Sequence, residues 1–198
     1  MTNDGVVVGD DGLARCAWGA ASGLYRDYHD DEWGRPVRGE HELFERFTLE
    51  AFQSGLSWIT ILRKRPAFRE AFGGFDPDLV ARYDERDRAR LLADVGIVRN
   101  RAKVDAAITN AAAVLRMRAE VDGGLDALVW SFAPDPTPPS PRTTADVAAI
   151  TPESVALAKA LKRNGMVFVG PTTAYAAMQA CGLVDDHLAG CHRHPARS

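Results

Sequence analysis

From about residue 15 onward the apolar positions recur at helical spacing almost everywhere, and no comparable alternation of the kind a strand needs appears. In RAKVDAAITNAAAVLRM, Val104, Ile108, Ala111 and Leu115 fall at i, i+4, i+7 and i+11, which predicts one buried stripe on a long helix. In HELFERFTLEAFQSGLSW, Leu43, Phe47 and Glu50 share a stripe at i, i+4 and i+7, so an acid occupies a place where its neighbours are core residues. Start and stop signals frame further helices: Thr151 as a cap with Pro152 at the first helical position and Gly165 as the stop, Asp76 with Pro77 as a second start, and Gly96 as the stop after DERDRARLLADV. Residues 1–14 are polar, glycine-rich and aperiodic and predict a disordered tail; 193–198 form a short C-terminal tail. APDPTPPSPRTT at 133–144 predicts a loop, since its prolines fit neither a helix interior nor a central strand. The pattern as a whole predicts an all-α protein with a single helical domain over 15–192 and no internal repeat.

Composition narrows this little. With 198 residues and 46% hydrophobic side chains the chain can bury one substantial core. No apolar run approaches the roughly 20 residues that cross a bilayer, and MTNDGVVVGDDGLARC lacks a signal pattern, so a cytoplasmic protein with no membrane partner is expected. Cys16, Cys181 and Cys191 are too few and too scattered for a disulfide framework and fit a reducing compartment. The net charge of −3 excludes a global polycation, so a nucleic-acid partner needs a local patch or backbone donors. Three short basic clusters, Arg63–Arg65, Arg99–Lys103 and Lys159–Arg163, read first as solvated helix faces.

Candidate chemistry changes the picture more. A carboxylate at Glu50 on an apolar face needs a partner, and a positively charged ligand would supply it. Trp18, Trp33 and Trp58, with Tyr25 and Tyr28, all lie within the first 58 residues, close to Glu50, and so many rings with polar edges beside a recessed acid describe a pocket for a planar base. His187 and Cys191 stand at i, i+4, which a helix would bring to one face; Cys16 and His29 form a second Cys/His pair. Together they make a tetrahedral zinc set that would pin the two ends of the chain, although Cys181, His192 and His194 compete for the role. Such a closed site is structural and leaves no position for an activated water. In NGMVFVGPTTAYAAMQACG, Gly165 and Gly170 bracket an apolar centre, and Pro171 opens a helix with Thr172 and Thr173 in its first turn, a seat for a phosphate.

The stretches YHDDEWGRPV, LEAFQSGLSWITILRKR, GIVRNRAK, VWSF and FVGPTTAYAAMQACGLVDDH resemble the DNA-3-methyladenine glycosylase I (Tag) family over about Cys16 to Cys191. The resemblance implies an all-helical helix-hairpin-helix DNA glycosylase fold with a zinc-binding subdomain joining the N- and C-terminal segments, with Cys16, His29, His187 and Cys191 as the ligands of a structural zinc. It implies release of 3-methyladenine from alkylated double-stranded DNA in base excision repair, by a monomer. Glu50 is then the base-recognising acid, Tyr28, Trp58, Trp33, Trp18 and Tyr25 line the base pocket, and residues 165–173 grip phosphate through Gly165, Gly170, Thr172 and Thr173. Relatives in the wider superfamily carry a catalytic Asp at the position of Asp185, where Tag-type enzymes often have Asn, so Asp185 stands either beside the sugar or as the cap of a helix carrying His187. Thr172 occupies the place of the lysine a strand-cleaving enzyme needs, which predicts base release without lyase activity. His192 and His194 follow Cys191 where some relatives have further cysteines. A broader alkylpurine glycosylase, or a zinc-stabilised damage-binding module without catalysis, are the competing readings.

Overall fold

The structure, a computed structural model, describes residues 5–21 and 23–194. Helices dominate: α1 Gly23–Asp31, α2 Glu40–Gln53, α3 Trp58–Ala71, α4 Pro77–Val80, α5 Glu85–Ala93, α6 Arg101–Glu120, α7 Gly124–Trp130, α8 Pro152–Arg163 and α9 Pro171–Ala180. The starts follow the chemistry of their caps. Thr151 Oγ1 accepts from the Ser154 amide while Ser154 Oγ accepts from the Thr151 amide, with Pro152 at the first position of α8. Asp84 caps α5 in the same reciprocal way with Asp87, and Asp76 caps α4. α5 ends at Ala93, three residues before the glycine expected to stop it.

α2 is the hub, in contact with α3, α6, α7 and α9, and every residue from Leu43 to Phe52 is buried. Its apolar stripe therefore understates its burial: a central helix must bury its polar side chains too. The core is built around Phe44, Phe47 and Phe52 from α2 with Phe68, Phe72 and Phe75; Phe44 meets Phe75 and Phe52 meets Phe68 edge-on, and Phe72 stacks on Phe75. Glu45 and Arg46 of α2 are neutralised in a chain of ion pairs: Arg65 Nε donates to Glu45 Oε1 at 2.5 Å, Arg65 Nη1 to Glu32 Oε2 at 2.6 Å, and Arg46 Nη2 to the same Glu32 oxygen at 2.8 Å. Burial alone would raise the Glu32 carboxyl, but the two guanidinium groups hold it below its usual range. On α6, Val104, Ile108 and Ala111 are buried as predicted, while Leu115 is only half-buried and Val114 and Met117 take over the stripe. Arg65 and Lys103, read from sequence as part of solvated basic faces, are both buried and engaged.

The N-terminal segment differs from expectation. Residues 1–4 of the expected tail lie outside the described residues, but Val6–Val8 pairs antiparallel with Ala14–Cys16 as β1 and β2, with Val7 opposite Arg15. Two forces order it. Val6 packs on a small second apolar cluster of Cys16, Leu188 and Cys191, and Arg15, almost fully buried, is forked between Asp11 and Asp30 at 2.7 Å each. A polar, glycine-containing stretch is thus held by an ion pair to Asp30 and by apolar partners more than 170 residues away, which periodicity cannot reveal. The proline-rich segment is irregular over 133–143, as its composition predicts, and a 3-10 turn over Thr144–Asp146 follows it. The expected C-terminal tail is described only at Arg193 and His194. Among the described residues no helix is long and apolar enough to cross a membrane.

Candidate active site

A cavity of about 460 Å³ opens where α1, α2, α3 and α9 meet, and all five aromatic residues singled out from sequence line it: Trp18, Tyr25, Tyr28, Trp33 and Trp58. Trp18 is the centre of the aromatic wall, edge-on to Tyr25 at 5.9 Å and to Trp33 at 5.0 Å between ring centroids. Tyr28 tilts against Trp58 at 5.4 Å. Tyr25 is fixed by its hydroxyl, which accepts from the Ile59 amide in the first turn of α3. Among the described residues the buried indole N–H of Trp58 has no hydrogen-bond partner, which leaves it a donor for an acceptor brought in from outside.

Glu50 forms the acidic part of this wall. It is 6% exposed, lines the cavity, and among the described residues its carboxyl makes neither a hydrogen bond nor an ion pair. Burial pushes its pKa up to about 8; Arg46, one turn earlier on α2, pulls the other way. The Tyr28 phenol is also held well above its usual range, first by burial and then by Glu50, so it is a neutral hydroxyl. A cavity with aromatic walls and a buried acid that makes no hydrogen bond among the described residues favours a cationic ring over a neutral ring of the same shape.

The second acid in the cavity wall is not the one expected. Asp185 is not among the lining residues: its Oδ1 accepts from the His187 amide at 3.0 Å and lies 2.7 Å from His187 Nδ1. Asp186, to which sequence gave no role, lines the cavity, with Oδ2 accepting from the Tyr175 hydroxyl at 2.7 Å and Gln179 Nε2 at 2.6 Å. Nor does Asp185 cap a helix, because residues 185–191 are irregular. Two adjacent acids in an irregular segment point apart, and sequence alone does not say which faces inward. Gln53, Ser57 and Gln179 also line the cavity unanticipated; Gln53, at i+3 from Glu50, was within reach of the same helical argument.

Cys16, His29 and Cys191, all buried, bring their ligand atoms within 4.8 Å of one another. The second apolar cluster surrounds them, and Cys181 is excluded from the group because it sits in the main core. Cys191 Sγ is 3.5 Å from His29 Nε2, close to the roughly 3.6 Å edge that zinc–sulfur and zinc–nitrogen bond lengths give a tetrahedron. His29 Nδ1 lies 2.7 Å from Asp30 Oδ1, and His187 Nδ1 stands in the same relation to Asp185, the carboxylate partnership that orients metal-binding imidazoles. The two thiols share a hydrogen bond that raises Cys16 and lowers Cys191, so one is readily a thiolate. The donor set thus fits a soft divalent metal. His187 packs edge-on to His29 at 4.8 Å between rings, but its Nε2 contacts the His29 carbonyl at 3.4 Å instead of joining the three. The helical i, i+4 argument for His187 and Cys191 fails with the helix. His192 Nδ1 is taken by the Ala14 carbonyl.

The predicted phosphate seat lies between α8 and α9. Gly165, at φ +88°, leaves α8 in a conformation other residues rarely adopt, Met166 and Val169 are buried anchors, and Val167 and Phe168 are exposed at 41% and 44%. Gly170 precedes α9, with Thr172 exposed and Thr173 half-buried in its first turn.

A helical body whose aromatic cavity has a buried acid in its wall can accept a planar, electron-poor ring. The methyladenine glycosylase family model matches residues 18–194. The chain is 46% identical over 184 residues to DNA-3-methyladenine glycosylase 1 of Escherichia coli, covering 92% of this chain and 98% of that one, and 44% identical over 180 residues to DNA-3-methyladenine glycosylase of Haemophilus influenzae, covering 89% and 96%. A crystal structure of 3-methyladenine DNA glycosylase I superposes with a TM-score of 0.87 at 46% identity, over 91% of this chain and 100% of that one. The Staphylococcus aureus enzyme, described as giving the structural basis of 3-methyladenine recognition, superposes with a TM-score of 0.85 at 34% identity, over 93% and 96%. This chain belongs to the methyladenine glycosylase family.

Proposed function

We propose that the protein is a monofunctional DNA glycosylase that releases 3-methyladenine from alkylated double-stranded DNA by flipping the nucleotide and hydrolysing its N-glycosidic bond. One observation carries the reading: Glu50 is a buried carboxyl, without a hydrogen-bond partner among the described residues, in the wall of an aromatic cavity. Methylation at N3 makes the base cationic and a good leaving group, so the enzyme's main task is extraction and selective capture. Flipping costs a few kcal/mol, least for a poorly paired lesion. The aromatic faces contribute about 0.5–2 kcal/mol of cation–π attraction, and Glu50 complements the charge; a neutral adenine gains less from both. Asp186, on the α9 side of the cavity, replaces Asp185 in this reading as the carboxylate facing the sugar that is left positively charged. Asp185 acts instead through His187.

The finer assignments follow the same reading. Cys16, His29, His187 and Cys191 hold a zinc ion that staples the N-terminal hairpin to the C-terminal segment, and its chemistry is structural: it ties the thiols and imidazoles into one rigid unit beside the cavity. His187 completes the set by turning its Nε2 from the His29 carbonyl. Residues 165–173 are the hairpin of a helix-hairpin-helix element and seat the DNA backbone, with the amides around Gly165, Gly170, Thr172 and Thr173 as donors. The unit is a monomeric domain that takes in the N-terminal hairpin from Val6 and works in the cytoplasm, where the three thiols stay reduced. Thr172, in the hairpin's following turn, supplies no amine for a lyase step. Titrating free 3-methyladenine into the protein while following tryptophan fluorescence tests the pocket, and borohydride treatment during turnover tests the chemistry. Saturable quenching with no trapped covalent adduct is expected; a trapped adduct or no quenching contradicts the assignment.

A further inference from the structure

α6 is an apolar helix that carries two buried polar side chains on one face. Lys103 is 8% exposed and Asn110 is 1% exposed, seven residues apart and therefore two turns along the same side. A buried ammonium or amide costs free energy unless it is bonded, and both are bonded to main chain elsewhere. Lys103 Nζ donates to the carbonyls of Phe52 at 2.9 Å and Ser54 at 2.6 Å, holding the end of α2 and the turn that carries Gln53, Ser57 and Trp58 at the cavity mouth. Asn110 holds the α8–α9 hairpin at two points: Nδ2 donates to the Val167 carbonyl at 3.0 Å and Oδ1 accepts from the Val167 amide at 2.7 Å. The next residue, Phe168, has φ +58°, an outlier for a bulky side chain, and that side chain is 44% exposed. Such a conformation persists only where its surroundings enforce it. An apolar pair at 103 and 110 would fill the same space without fixing either loop.

We propose that the Lys103–Asn110 face of α6 is a ruler that fixes the separation of the cavity mouth from the hairpin, so that a nucleotide whose backbone is held at the hairpin delivers its base to the cavity. The anchors are about 10 Å apart along the helix axis, about three base steps of a duplex strand. Both are positioning residues: neither touches the base, and each acts through the loop it holds. The inference rests on the glycosylase reading above and on the hairpin as its backbone seat.

The test uses the full chain with Asn110→Ala, Lys103→Met, the double variant, and Asn110→Asp, which keeps the size and the bond from the Val167 amide but removes the donor to its carbonyl. Three quantities are read: affinity for methylated duplex DNA, single-turnover base release as a function of DNA concentration, and affinity for free 3-methyladenine. Each single variant should weaken duplex binding and raise the half-saturating DNA concentration about tenfold or more, Asn110→Asp losing one hydrogen bond and Asn110→Ala and Lys103→Met two each, with free-base affinity unchanged in the Asn110 variants. The double variant should lose little more than either single, because one missing anchor already releases the spacing. Independent stability effects at two sites without shared partners would instead multiply. Parallel loss of free-base affinity in the Asn110 variants, multiplying losses, or unchanged duplex binding in all variants overturns the proposal. Absence of base release from the unaltered protein defeats the glycosylase reading, while the two affinities still decide the ruler.

Discussion

Replacing Glu50 by Gln should make the protein more stable and less active, by an amount that depends on pH in a calculable way. The folded-state pKa of about 8 stands above the ordinary 4.5, so the native protein holds this proton more tightly than the unfolded chain does. The stability of the neutral form is complete below pH 4.5 and is lost as pH rises towards 8, after which no more is lost. At about 1.4 kcal/mol per pH unit, the loss is about 1 kcal/mol at pH 5, about 3 at pH 7 and nearly 5 at pH 9. A glutamine of the same shape never ionises, so Glu50→Gln recovers these amounts. At about 2–4 °C per kcal/mol for a chain of this size, its Tm advantage should grow from a few degrees at pH 5 to about 10 °C at pH 7. Differential scanning calorimetry of both proteins from pH 5 to 9 measures it, and base release in the same buffers should fall at least tenfold in the variant, the loss of a charge-assisted contact. A Tm difference that stays flat over this range would show that the Glu50 charge is compensated in the folded state, and the reasoning from an unpartnered acid to a cationic ligand would fail.

Three further outcomes follow from other parts of the site. Arg46→Met removes the guanidinium that pulls the Glu50 pKa down, so the rise of kcat/KM with pH should move to higher pH; an unchanged midpoint would mean Arg46 does not act on Glu50. Asp186→Asn should slow single-turnover release at saturating DNA with zinc content intact, whereas Asp185→Asn should lower zinc retention through His187 and leave the rate of the loaded enzyme alone; the reverse pattern would return the sugar-side role to Asp185. Elemental analysis should find one zinc per chain, and Cys191→Ser should remove it and lower Tm by about 10 °C or more, corresponding to about 3 kcal/mol or more of lost binding free energy; a metal-free protein of unaltered Tm contradicts the staple.

Much of the cavity was legible in the sequence because its parts are local. Glu50 declares itself by interrupting an apolar stripe within α2, and the five aromatic residues that line the cavity stand within 41 positions of one another, from Trp18 to Trp58. Helix starts at Asp76 and Thr151 were equally readable, since capping is settled within four residues. What escaped was set by long-range partners. Arg15, Val6 and Cys16 are ordered by Asp30 and by the segment around Leu188, so a stretch without periodicity still pairs as two strands. Lys103 and Arg65 look like solvated charges until α2 and Glu32 supply their buried partners. The choice between Asp185 and Asp186 depends on which of two adjacent side chains meets Tyr175 and Gln179, and an irregular backbone has no period from which to infer it.

The most direct test of the account is to incubate the zinc-loaded protein, and Glu50→Gln beside it, with methylated duplex DNA and to identify the freed bases by mass spectrometry. The account predicts release of 3-methyladenine in clear preference to 7-methylguanine, falling at least tenfold in the variant. No base released by a folded protein that binds the same DNA, or equal release by both proteins, would contradict it.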